Sequence, residues 1–279
     1  MTKKREKFSH AAVYIILILM AAVFLAPIFI VLFNSFKSKL FITSEPFAFP
    51  NKETFAGLEN YIGGLSKTGF FSAFGWSLFI TVGSVAAIVF FTSMTAWYIT
   101  RVKNKFTSFL YYAFVFSMIV PFQMVMFTMV KTANALKLDN PLGIILIYLG
   151  FGAGLSVFMF SGFVKGVPIE IEEAAMIDGC GPIRTFFLVV FPIMKPTAIT
   201  VAILNAMWIW NDYLLPYLVI GTDYKTIPIA IQYLRGGYGS IDMGAMMAML
   251  VLAIIPIVIF YLFCQKYIIK GVVAGAVKG

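Results

Sequence analysis

Pro168-Ile169-Glu170-Ile171-Glu172-Glu173-Ala174-Ala175-Met176-Ile177-Asp178-Gly179 is the stretch on which the reading of this chain turns. It opens a polar break between two hydrophobic runs and holds four of the twelve acidic residues: Glu170, Glu172, Glu173 and Asp178. Pro168 suits a first helical position, where its missing N–H would be unpaired anyway. The glutamates of the first turns favour the positive end of the helix dipole. Gly179 can take the left-handed conformation that ends a helix. Ile169, Glu172, Glu173 and Met176 recur at spacings that bring them near one another, and Ala174 and Ala175 keep the element slim. Such a helix suits insertion into a groove of a soluble partner. An acidic face is disfavoured beside anionic lipid, which counts against a helix that merely lies on a membrane.

Outward from this loop the chain is apolar. Hydrophobic residues make up 61% and charged residues 12%, against roughly 25% charged in soluble domains, and mean hydropathy is +0.94. A chain of this kind cannot cover itself with polar surface, so an integral membrane protein is expected. Its net charge of +9 fits cytoplasmic loops near anionic lipid rather than nucleic acid. Cys180 and Cys264 offer neither a disulfide framework nor metal-ligand spacing, and His10, the single histidine, has no obvious partners. No metal site and no catalytic residue are expected. Nucleotide-binding P-loop, H-E-x-x-H and G-x-S-x-G patterns are all absent from the sequence.

Crossing the hydrocarbon takes about 20 apolar residues as a helix. Runs at Ala11–Phe33, Phe70–Thr100, Phe106–Val130, Pro141–Val164 and Met243–Gln265 meet this length. A sixth begins after Lys195-Pro196 and reaches about Ile220, interrupted only by Asp212. The run Thr185–Met194 is too short to cross and carries Pro192, so it reads as a short segment near the inner interface. An all-α membrane protein with six transmembrane helices follows, spanning residues 11–265 between a tail at 1–10 and a tail at 266–279. With both termini cytoplasmic, thirteen Lys and Arg fall inside and eight outside, as the positive-inside rule asks. The acidic loop at about 165–184 then faces the cytoplasm. The basic prelude Lys3–Lys7 precedes a run too long for a signal peptide. The external stretch Asn34–Gly69 is too small to bind a substrate alone.

The residues now carry a resemblance. The stretch Pro168–Gly179, followed by Val189-x-Phe191-Pro192, resembles the EAA loop of importer-type ABC permeases. With Trp210-Asn211-Asp212-Tyr213-Leu214-Leu215-Pro216 and the ending Gly271–Gly279, the whole chain is similar to the second permease subunit of carbohydrate-uptake ABC importers of the maltose and multiple-sugar type. Cys180 stands where alanine is usual, and Val189 and Phe191 replace the usual isoleucine and leucine. The resemblance implies a type I importer permease fold in a bacterial cell membrane. It also implies a second homologous permease, two ATPase subunits and an extracytoplasmic sugar-binding protein, with ATP and Mg held by the ATPases rather than by this chain. Glu170, Glu173, Ala174, Ala175, Met176, Asp178 and Gly179 would form the ATPase-coupling loop, Glu173 pairing with an arginine of the partner. Gly275, Ala276, Lys278 and Gly279 would reach the interface between the ATPases as a flexible, narrow tail. Gly236-Gly237-Tyr238-Gly239 lies where the family places a loop toward the binding protein.

Asp212 is the only acid inside an expected span. A charge at the bilayer centre costs about 2.5–3.5 kcal/mol on insertion scales, so it should face protein or a watery cavity. Asn205, Trp208, Trp210, Asn211 and Tyr213 surround it in sequence. Two readings stand for this cluster. Aromatic faces with amides and a carboxylate suit a carbohydrate path; Trp and Tyr also form interfacial belts. Pro121, Gln123 and Asn140-Pro141 read as kinks, and Gly150, Gly152 and Gly154 as points of close helix approach. The rival function is a secondary, ion-coupled transporter. It would show paired repeats and midplane ionisable residues, and the sequence shows neither.

Overall fold

Backbone polar groups in lipid must pair internally, and the apolar runs achieve this as helices. The computed structural model describes residues 3–221, 223–234 and 241–276, and no strand is present among them. In chain order the helices are α1 (Lys3–Asn34), α2 (Lys39–Ser44), α3 (Glu59–Thr68), α4 (Phe70–Arg101), α5 (Lys105–Ser117), α6 (Phe122–Ala135) and α7 (Pro141–Val164). After these come α8 (Glu170–Ile177), α9 (Pro182–Thr185), a π-turn (Phe186–Val190), α10 (Phe191–Asn211), α11 (Leu214–Val219), α12 (Ile227–Gln232) and α13 (Met243–Ala276).

Five stretches are long and apolar enough to cross a membrane: Val13–Asn34, Phe70–Arg101, Pro141–Val164, Pro182–Asn211 and Met243–Tyr267. A sixth is reached when the bent pair α5 and α6 is counted as one span. The run expected at Phe106–Val130 is α5 plus α6, bent by 108°. Pro121 causes this: it restricts Val120 to extended backbone and has no N–H to continue the ladder. Asn140 is a true boundary too, its Oδ1 accepting the N–H groups of Leu142 at 3.1 Å and Gly143 at 3.0 Å.

The run after the acidic loop departs from expectation. Thr185–Met194 is not a separate interfacial piece, because α9, the π-turn and α10 form one span from Pro182 to Asn211. Pro182 sits in the first turn of α9 and costs nothing. The π-turn, where Phe191 N–H reaches back to Phe186 C=O, shifts the hydrogen-bond register just where Pro192 has no donor. Pro196 lies inside α10, a placement membrane helices tolerate. Asp212 is likewise not inside a helix. It follows α10 in extended backbone, and the chain restarts at Leu214.

The described chain forms two compact units. The first comprises Met1–Phe71 and Ala230–Pro256. Its stretch from 34 to 69 is tied down by polar contacts. Lys37 is fully buried; its Nζ donates to Glu45 C=O at 2.8 Å and lies 5.2 Å from the Phe33 ring centroid. Burial lowers the Lys37 pKa, with Glu45 opposing. Asn60 Nδ2 donates to the carbonyls of Ser35 and Lys37. At the start of α13, Asp242 Oδ1 accepts the Ala245 N–H, and Oδ2 pairs with Lys67.

The second unit, Ser72–Ile229 and Ile257–Gly279, holds the core in which Ile88, Tyr148, Phe160, Phe186 and Met194 are buried together. Here α7 packs against α5 and α10. A Cβ on Gly152 would stand 2.6 Å from Ile88 Cδ1 and 2.8 Å from Asn205 Oδ1, and one on Gly154 2.8 Å from the Phe114 carbonyl oxygen. Close approach is therefore real at both positions. Gly150 meets nothing within 4 Å; it lines an open, mostly apolar cavity of about 470 Å³ with Phe116, Val125, Met129 and Phe151.

Candidate functional site

The acidic helix is built as a two-faced element. Its helix begins at Glu170, with Ile169 as N-cap and Pro168 one residue earlier, so the proline precedes the first turn instead of opening it. Glu170, Glu172 and Glu173 fill that first turn. Asp178 caps the C-terminal end, and Gly179 has φ +85°, the left-handed stop that favours glycine. Cys180 N–H closes the turn on Ala175 C=O at 3.0 Å.

One face points inward. Glu172 is 2% exposed and Ala175 is buried beside it. Arg101, the last residue of α4, donates from Nε and Nη2 to Glu172 Oε1 at 2.9 and 2.7 Å. Trp97, one turn earlier on α4, donates its indole N–H to Glu172 Oε2 at 2.9 Å. Arg101 Nη2 also donates to Val167 C=O at 2.9 Å. Both carboxylate oxygens of Glu172 are thereby engaged. The other face is open: Glu170, Glu173, Ala174, Met176 and Asp178 are all exposed.

This splits residues that sequence spacing had put together. Glu172 and Glu173 do not share a face, because adjacent helix residues stand about 100° apart. Ala175 belongs to the inner face and not to the exposed one. Trp97 and Arg101 escaped the sequence reading, which gave Glu172 no contact within the chain. The pairing joins residues 71 positions apart, beyond any local pattern. The one available signal was that three glutamates in four positions cannot all face one way.

The residues around Asp212 are distributed likewise. Asn205 is buried, its Nδ2 donating to Val201 C=O at 2.9 Å and to Ser156 Oγ at 3.3 Å. Trp210 is buried and meets Phe74 edge-on at 5.8 Å. These two pack the bundle. Asn211 is exposed and donates to Met207 C=O; Tyr213 stacks on Tyr217 at 5.2 Å. Trp208 and Asp212 instead converge on a residue that sequence reasoning missed, Tyr148 of α7. Tyr148 is fully buried. Its hydroxyl donates to Asp212 Oδ2 at 3.1 Å, and its ring meets Trp208 edge-on at 5.5 Å. Asp212 Oδ1 accepts the Leu214 and Leu215 N–H groups at 3.1 and 3.4 Å, starting α11. Half-buried Asp212 thus closes one helix break and keeps one oxygen on a phenol. Trp208 and Asp212 are thereby brought together on Tyr148. At the C-terminus, Gly275 and Ala276 continue α13 as helix and not as a loose strand, whereas Lys278 and Gly279 lie outside the described residues, as does Gly236-Gly237-Tyr238-Gly239.

Residues 88–273 match the family described as binding-protein-dependent transport system inner membrane component. The chain belongs to that family. It is therefore a multi-pass membrane permease of the ABC-importer class, and the ion-coupled alternative falls away. The chain is 39% identical to the probable starch degradation products transport system permease protein AmyC of Thermoanaerobacterium thermosulfurigenes, covering 94% of each. It is 36% identical to the multiple sugar-binding transport system permease protein MsmG of Streptococcus mutans, covering 99% of this chain and 100% of that one. The fold matches a chain of a bacterial ABC transporter involved in the import of the acidic polysaccharide alginate, with TM-score 0.77 and 20% identity over 96% of this chain and 99% of that one. The matched family segment contains both α8 and the Tyr148–Asp212 corner.

Proposed function

We propose that this permease forms one half of the translocation path for a sugar or oligosaccharide. Its other half is a second homologous permease, an extracytoplasmic sugar-binding protein delivers the substrate, and two separate ATPase subunits supply the drive with ATP and Mg. On this reading the chain itself performs no hydrolysis. The carbohydrate assignment is supported by the transport names of its relatives, which include starch degradation products and multiple sugars. The single observation that carries the coupling role is the exposed acidic face of α8. Glu170, Glu173, Ala174, Met176, Asp178 and Gly179 stand free for a groove on the ATPase, while the opposite face is held by the chain's own core. Glu173 supplies the charge for an arginine of the partner.

The reading divides the chain into a tail at 1–10, a six-span domain at 11–265 carrying the coupling loop, and a tail at 266–279 running from Gly275 and Ala276 toward the ATPase interface. Trp208 and Asp212 are the residues of the path, with Asn205 and Trp210 supporting it from within the bundle and Asn211 and Tyr213 beside the break. The test is purification of the tagged chain in mild detergent with mass-spectrometric identification of its partners. A second permease and a P-loop ATPase are expected, the ATPase lost on Glu173→Lys. A homogeneous preparation of this chain alone, competent for sugar uptake in liposomes, would sink the proposal.

A further inference from the structure

The inner face of α8 is as specific as its outer one, and nothing in ATPase docking requires that. Exposed ion pairs contribute about 0–1 kcal/mol. The Arg101–Glu172 pair is of another kind, with side-chain exposures of 17% and 3%. Arg101 holds Glu172 Oε1 from two nitrogens, a fixed fork rather than a point contact. The same guanidinium bonds Val167 C=O at 2.9 Å, so the segment entering α8 is gripped together with the helix itself. Trp97 closes the remaining oxygen, and its ring lies 5.4 Å from that of Phe186, which is 1% exposed. Phe186 is the first residue of the π-turn that leads into α10. Glu172, Arg101, Trp97 and Phe186 therefore join α8, the end of α4 and the start of the α9–α10 span in one packed cluster. A π-turn is an uncommon element that recurs at functional sites, and here it sits where this cluster meets a span.

We infer that Glu172 is a positioning residue for energy coupling: it clamps α8 to α4 and, through Trp97 and Phe186, to the π-turn of α10, so that displacement of the exposed acidic face moves these spans as one body. The inference rests on the coupling reading of α8 given above. It adds that docking and force transmission belong to adjacent residues with different chemistry. Glu173 makes the outer contact, and Glu172 makes the helix stiff against its own subunit. A loose α8 would still bind its partner, but partner motion would then be absorbed by helix rocking.

The test uses the complete complex in liposomes with the binding protein and substrate, scoring uptake, ATP hydrolysis and retention of the ATPase. Glu172→Gln keeps the shape and oxygen acceptor but removes the charge. The ATPase is expected to remain bound and hydrolysis to continue, with uptake per ATP falling about fivefold or more, the lower end of measured coupling between sites. Trp97→Phe keeps the ring against Phe186 and removes only the indole donor; a loss of about threefold is expected, the scale of one hydrogen bond. The reversed pair Arg101→Glu with Glu172→Arg should recover part of the ratio lost in either single reversal. An unchanged uptake-to-hydrolysis ratio in Glu172→Gln would overturn the inference. So would a loss of uptake matched by loss of assembled complex, which would make the cluster merely structural. Absence of ATP-dependent uptake in the unmodified complex would instead refute the coupling reading on which it stands.

Discussion

The α8 cluster and the Asp212 corner both place a carboxylate beside a break between spans, yet they solve the problem differently. Glu172 is surrounded by cationic and N–H donors that neutralise it: a bidentate arginine and an indole, with no exposed oxygen to spare. Asp212 takes its hydrogen bonds from uncharged donors. It receives a phenol hydroxyl and two backbone N–H groups and stays half-buried. The first arrangement fixes a helix against its neighbours. The second stabilises a turn while leaving a carboxylate near an accessible tryptophan, Trp208. A charge that must hold position is locked by another charge; a charge that must remain available is held by neutral dipoles.

The largest effect that would break this contrast is Arg101→Ala. It strands the Glu172 carboxylate in a buried site, and breaking such a pair costs about 3 kcal/mol or more. Thermal unfolding of the detergent-solubilised protein should show the loss, and a melting point equal to that of the unmodified chain would remove the distinction between the two carboxylates. Next comes Glu173→Lys, one residue away. Its side chain is exposed, so stability should hold, while ATPase affinity falls about thirtyfold, the scale of a binding hot spot. Calorimetry or pull-down against the ATPase separates the two glutamates directly. A stability loss without a binding loss would reverse the assignment of the two faces.

Tyr148→Phe probes the other corner and should cost about 1.5 kcal/mol or more, one buried hydrogen bond to a carboxylate. Asp212→Asn preserves an acceptor for the Leu214 and Leu215 N–H groups. It should therefore disturb folding less than Tyr148→Phe while altering sugar uptake; equal uptake would remove Asp212 from the path. The smallest effect is expected at Lys67–Asp242, with side-chain exposures of 59% and 29%. Burial alone would raise the Asp242 pKa, but the Lys67 contact, the Ala245 N–H and the charge of Lys39 outweigh it, and the net shift is downward. The resulting stability is present above the usual carboxylate range and lost as pH falls through the lowered pKa. Lys67→Ala should change stability by about 0.5 kcal/mol or less, with the difference from the unmodified protein vanishing in acid.

The α8 helix was legible in sequence because its signals are local: a first turn of three glutamates, slim alanines and Gly179 as the stop. The crossing helices were legible from length and apolarity, and family character from the joint pattern of Pro168–Gly179, Trp210–Pro216 and the glycine-rich end. Proline was the least legible signal. Pro121 does break its run, whereas Pro192 and Pro196 are carried within a continuous span, and the difference lies in the π-turn at Phe186–Val190 that no spacing announced.

The sequence alone determined the membrane class, the two-sided distribution of Lys and Arg, the existence of an acidic helix and its termination. Those properties follow from transfer free energy and from interactions within one helical turn. Only the tertiary structure decided which glutamate is buried, which tyrosine meets Asp212, and that Asn205 and Trp210 are buried within the bundle. Glu172 finds Arg101 71 residues away and Asp212 finds Tyr148 64 residues away. Pairings at such separations are set by how α4, α7, α8 and α10 pack, because a charge or polar group leaving water takes the partner that the assembled helices place within reach.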